Sequence, residues 1–193
     1  MGLSIHYSGS FNKEASLIEM IEEVKDIAEI YKWKSTVMEQ HFSENLFGKS
    51  TYNKKVYGIQ ITPPNSETIS LTFLSNGKMS STACLQCFGN SKNDADKQYL
   101  YMVSTKTQFA GTDTHKTIIH LLKYLSKKYF SDFTLSDEGE YWESGNEKLL
   151  EEKFKTYEDL FDSVESAVQN YPKKKGETFE EYFVRILNYS KKK

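Results

Sequence analysis

Very little in this chain of 193 residues marks it for a special environment. Its two cysteines cannot build a disulfide framework, so a reducing cytoplasm is the expected setting. No apolar run approaches the roughly 18 residues of a membrane span. The first residues alternate polar and apolar at once, without the basic and apolar regions of a signal peptide. Met1-Gly2 would suit myristoylation, but His6 stands where that signal wants Ser or Thr. A net charge of −2 offers no overall basicity for nucleic acid. The short tracts Lys173-Lys174-Lys175 and Lys191-Lys192-Lys193 lack interleaved aromatics and read as solvated loop and tail. Nucleophile elbow, H-E-x-x-H, P-loop and dinucleotide fingerprint are all missing, as is any internal repeat. No cofactor or metal is therefore expected.

What is present is a core-forming sequence. Twelve Phe and thirteen Tyr supply the apolar surface that disordered chains lack, and the length suits one domain. Leu3, Ile5 and Tyr7 alternate with Ser4, His6 and Ser8, the period of a half-buried strand. Asn12 is placed to cap a helix reaching about Trp33, striped by Leu17, Met20, Ile21, Val24, Ile27, Ala28 and Tyr31. Strands are expected over residues 34–42, 57–61, 69–73, 79–88 and 99–109. Asn76-Gly77 forms a two-residue type I′ turn in this reading, and residues 89–97 a polar loop. Connections this short make neighbouring strands antiparallel. A second helix runs from Gly111 to Tyr129, and residues 133–136 add a short strand.

Beyond it, Leu150, Phe154, Tyr157, Phe161, Val164, Val168 and Tyr171 repeat at alternating spacings of four and three, a heptad seam. Thr178 and Glu181 make a capping box for a last helix. The pattern predicts an α+β fold. Its body (residues 1–145) is a two-layer sandwich, a mostly antiparallel sheet of six or seven strands with two amphipathic helices on one face. A C-terminal helical hairpin (residues 146–193) packs on the same domain. The seam is filled either by the folded-back last helix or by a second chain, so a monomer and a weak homodimer both stay open.

Several groups invite chemistry. Cys84 and Cys87 form a CxxC, but strand-like context would point them to opposite faces, as buried thiols. Joined to His115 and His120 they give a gap too long for a zinc finger. His115 lies on the apolar stripe in the first turn of its helix, where it is either a partly buried structural residue or a neutral imidazole beside a bound anion. The densest segment holds Asp137, Glu138, Glu140 and Glu143 around Tyr141 and Trp142, punctuated by Gly139 and Gly145. It is an exposed acidic turn with its aromatics on the core, a carboxylate site for acid–base work or a cation, or an anchor for a basic partner. Residues 137–165 carry eleven acids and three lysines, whereas 172–193 carry seven bases and three acids. Such blocks pair within one molecule or recruit a partner.

The segments MGLSIHYSG (1–9), TQFAGTDTH (107–115) and YFSDFTLSDEGEYWESG (129–145) resemble a group of small bacterial proteins with no assigned activity. The resemblance implies a bacterial cytoplasmic setting and brings no reaction, cofactor or site residue. The expectation for function is a non-catalytic binding protein for a protein partner or small ligand. Its surface would comprise His6, His115, Asp137, Glu140, Tyr141, Trp142 and Glu143. An antitoxin- or immunity-like role is one form of it, by analogy alone. The alternative is an enzyme pairing Glu140 or Glu143 with His6 or His115, which requires a proximity that sequence spacing does not supply.

Overall fold

The computed structural model describes residues 2–43 and 45–190. The acylation reading at Met1 and the basic tail Lys191-Lys192-Lys193 fall outside them. In chain order the elements are β1 (Ser4–Phe11), α1 (Leu17–Ile30), β2 (Lys34–Val37), β3 (Val56–Thr62), β4 (Ile69–Leu74), α2 (Thr82–Phe88) and α3 (Asp94–Leu100). There follow β5 (Val103–Lys106), α4 (Gly111–Tyr129), β6 (Phe130–Asp137), α5 (Tyr141–Ser144), α6 (Glu147–Asn170) and α7 (Phe179–Ser190).

The fold is α+β with antiparallel pairing, but the single sheet of six or seven strands does not form. Two three-stranded sheets take its place, ordered β5-β1-β6 and β2-β3-β4. Side chains hold their edges together where a ladder would otherwise run. The Tyr7 hydroxyl donates to the Ser70 carbonyl at 3.1 Å and accepts from the Ser70 N–H at 3.0 Å, satisfying both backbone groups on the open edge of β4. The Thr105 hydroxyl reaches the Thr68 carbonyl, and Glu67 exchanges bonds with the Lys106 backbone. Burial pushes the Tyr7 phenol far above its ordinary range, so it stays a neutral donor.

One core joins both sheets. Ile5, Tyr7 and Phe11 of β1 meet Ile59, Ile61, Leu71 and Phe73, with α1 and α4 covering them through Met20, Val24, Ile118 and Leu122. The predicted helix starts later than expected: Ser16, not Asn12, caps α1 by accepting from Glu19 N–H, while Asn12 turns back onto Glu14 N–H. The hairpin turn also differs. Gly77 alone takes a positive φ (+86°) and Leu74 N–H bonds Lys78 O, so the loop has three residues with glycine in the left-handed position.

Residues 79–88 are not a returning strand. After a single bridge at Met79, the Ser81 hydroxyl caps α2 through Cys84 N–H, and Ala83, Leu85 and Gln86 are good helix formers. Asn93 likewise caps α3 inside the expected polar loop, leaving β5 only four residues. Together α2 and α3 cover the second face of β4, where Val56, Leu74 and Leu100 form a small separate core.

The C-terminal hairpin rests on helices, not on an open sheet face. Leu150 and Phe154 of α6 are buried in the main core, next to α4 and α5. The Thr178–Glu181 capping box closes reciprocally. Ala167 and Ile186 are buried where α6 and α7 meet, and Tyr171 stacks on Tyr189 at 4.3 Å.

Tyr7→Phe keeps the ring and removes the hydroxyl, leaving a buried N–H and C=O of Ser70 unpaired. Urea denaturation is expected to show a loss of about 1–3 kcal/mol, with the cooperative transition retained.

Candidate functional site

Strand phase explains where the charged residues of the 137–145 segment go. Along β6, Phe133, Leu135 and Asp137 share one face, so the alternation that turns two apolar side chains inward also buries a carboxylate. Asp137 has no solvent-exposed side-chain surface. Its Oδ1 accepts from Gly139 N–H at 2.8 Å, and its Oδ2 from Tyr141 and Trp142 N–H at 2.8 and 3.0 Å, capping α5. His115 Nε2 lies 3.0 Å from Oδ1, close but off the line of a ring N–H, and Nδ1 is 2.7 Å from the Thr107 hydroxyl. The ring is fully buried, edge-on to Phe154 at 5.6 Å. Burial raises the Asp137 pKa, but the His115 ring and the Trp142 and Gly139 N–H groups outweigh it and hold the carboxyl below its ordinary range.

Gly139 is required by space. A Cβ there would sit 2.6 Å from Leu150 Cδ1 and 3.0 Å from His115 Nε2. Thr107 extends the network through a long contact to the Leu3 carbonyl, at 3.4 Å. The anion that the His115 position invites is thus the chain's own Asp137, and the residue is fully rather than partly buried. Sealed from solvent, this pair has no path to a substrate.

The other expected residues divide. Tyr141 is buried, its hydroxyl 3.3 Å from His120 Nε2. Trp142 is half-buried between Phe133 and the Lys123 ammonium, 5.2 Å from its ring. Glu140 is exposed but paired with Lys153 at 2.6 Å, and Glu143 is exposed without a cation among the described residues. Neither glutamate meets His6 or His115, so the acid–base pairs proposed from sequence do not form.

Different pairs form instead. On the solvent face of β5-β1-β6, His6 Nδ1 is 2.7 Å from the Ser104 hydroxyl and Nε2 is 3.7 Å from Glu138 Oε1. The other Glu138 oxygen accepts from Ser4 N–H at 2.7 Å. Ser104, His6 and Ser136 occupy one rung across the three strands. The outward phase of His6 was legible in β1, but Ser104 and Glu138 were not, because register decides which residues face it.

No family model, curated protein or solved structure matches the chain. Its chemistry is therefore read from its own geometry. Among the described residues no cluster of three metal-ligating side chains occurs, and no helix is long and apolar enough to cross a membrane. An open groove of about 720 Å³ lies between residues 38–41, residues 54–56 and the α2 residues Thr82, Leu85 and Gln86. It holds His41 and Lys54 beside the Glu39–Lys55 ion pair.

Asp137→Ala leaves three N–H groups and a buried ring without their carboxylate, and is expected to cost about 3–5 kcal/mol at neutral pH. The folded Asp137 carboxyl titrates below the unfolded one. The wild-type advantage is thus present above the ordinary carboxylate range and drains away as pH falls through the folded pKa. Urea unfolding of both proteins across an acid series checks this; a gap constant with pH would remove the charge from the explanation.

Proposed function

We propose that this is a non-catalytic interaction protein whose docking element is the distal half of the α6–α7 hairpin. The observation that carries this reading is a set of large apolar side chains left in solvent there: Phe161 is 44% exposed, Phe179 68% and Phe183 47%. The seam that seats Leu150 and Phe154 in the core runs on along the hairpin, where Phe161 keeps an edge contact with Phe109 and Tyr171 stacks on Tyr189. Exposed aromatics clustered on one element are the composition of a binding surface.

Charge selects the partner. Glu158, Asp159 and Asp162 are exposed beside Leu160 and Phe161 and meet no cation among the described residues. The one arginine of the hairpin, Arg185, is already engaged with Glu177 at 2.7 and 2.9 Å and with the Pro172 carbonyl. The α6 part of this surface therefore suits a protein presenting basic side chains around an apolar patch. An antitoxin- or immunity-like neutralising role is the finer form of this proposal. In it Tyr141, Trp142, His115 and Asp137 support the scaffold.

A second reading has one observation behind it, the open Ser104–His6–Glu138 line, which has the residue order of an activated hydroxyl. Against it, these residues sit on a sheet whose backbone N–H groups are committed to β5-β1-β6 pairing, leaving little to stabilise an oxyanion.

A pull-down comparing wild type with Phe179→Ser/Phe183→Ser and with Asp159→Lys/Asp162→Lys tests the first reading. A basic protein retained by wild type is expected to be lost from both variants, and recovery is expected to fall as salt is raised. Equal recovery by all three would sink the hairpin as the interface. A dimeric mass by light scattering, abolished by Phe183→Glu, would instead make a second copy the occupant.

A further inference from the structure

We infer that Cys84 and Cys87 form a reversible dithiol–disulfide site that exchanges with low-molecular-weight disulfides. The two thiols lie three residues apart on α2, so they share one face of a helix rather than opposite faces of a strand. Neither is buried: Cys84 is partly exposed and Cys87 exposed. The Cys84 thiol makes a weak contact to the Met102 carbonyl at 3.4 Å. No residue of α2 is buried. The site shares no residue with the hairpin or with the buried His115–Asp137 pair.

Helical geometry fixes how such a pair behaves. Side chains at i and i+3 on a regular helix have Cβ atoms about 5–6 Å apart. A relaxed disulfide needs roughly 3.5–4.5 Å. Ring closure therefore tightens the turn by about an ångström. A helix of seven residues, whose Leu85 and Phe88 pack on the small separate core and not on the main one, has slack to do so without disturbing the main core. The strain that remains makes the bond easier to reduce, the character of labile rather than structural disulfides.

The exchange balances in two steps. The Cys87 thiolate, having lost its proton to water, attacks one sulfur of an incoming disulfide R–S–S–R. That S–S bond breaks, one RS⁻ leaves and is protonated, and a mixed disulfide remains on Cys87. The Cys84 thiolate then attacks the Cys87 sulfur, forming the Cys84–Cys87 bond and expelling the second thiol. In sum the protein loses two hydrogens and two electrons, and the substrate becomes two RSH. The Cys84 contact to Met102 O is given up in the oxidised form.

The test uses the full chain incubated with oxidised glutathione, then acid-quenched, alkylated and weighed intact with peptide mapping. The expected product is a monomer lighter by two hydrogens, with one Cys84–Cys87 bond reversed by reduced glutathione. Cys84→Ser is expected to stop at a stable glutathione adduct on Cys87 and lose ring closure entirely. This variant lies on a helix with nothing buried, and an unchanged thermal midpoint checks its folding. Wild type carrying glutathione on one or both cysteines without closing the ring would overturn the inference. So would disulfides formed between chains, or thiols that stay unreacted.

Discussion

A carboxylate buried beside an imidazole is the constraint around which this structure is arranged. Taking an ionised Asp137 out of water costs several kcal/mol even after relaxation, and the cost is met only by complete solvation from protein groups. Three backbone N–H groups and the His115 ring supply it. Those groups come from the end of β6, the start of α5 and the first turns of α4. Thr107 carries the network on to the Leu3 carbonyl, and Phe154 closes over the ring from α6. One small polar network thus ties the N-terminal residues, a central helix and the root of the hairpin together, and Gly139 leaves the space in which they meet.

This arrangement bears directly on function. The segment richest in acids and aromatics spends its most suggestive members on its own architecture: Asp137 caps a turn, Tyr141 enters the core and Glu140 pairs with Lys153. Other groups stay at the surface. They are the polar rung of His6 on β5-β1-β6, the exposed thiols of α2, and aromatics of α6 and α7. A second clamp, Glu23 with Tyr129 at 2.6 Å, Lys128 at 3.0 Å and Tyr124, locks α1 to α4 and is equally structural. Burial raises the Glu23 pKa, but its hydrogen bonds to the two tyrosines and to Lys128 bring it below its ordinary range.

Local pattern carried much of the fold. The stripes of α1 and α4, the alternation of β1 and the Thr178–Glu181 box all depend on neighbours within a few residues, and each appears in the structure; β3, β4 and α6 also form, but β4 is buried on both faces and the α6 seam is buried only at Leu150 and Phe154. Errors gathered where local signals conflict. Residues 79–88 mix alternating apolar positions with good helix formers, and the Ser81 cap decided for helix. Asn12 and Ser16 both suit a cap, and the position of the first core residue, Leu17, chose between them.

By itself, then, the sequence determined the class of the protein, α+β with antiparallel strands and a helical hairpin, because periodicity and capping act over short distances. Only the tertiary structure decided that the sheet is split in two. That outcome turns on a phenol meeting the backbone of a strand edge more than sixty positions away in sequence, Tyr7 to Ser70. It likewise decided which acids are hidden and which are free. The phase of β6 is local, but the groups that solvate Asp137 and the strand that brings Ser104 to His6 are long-range partners, and no spacing rule within the segment encodes them.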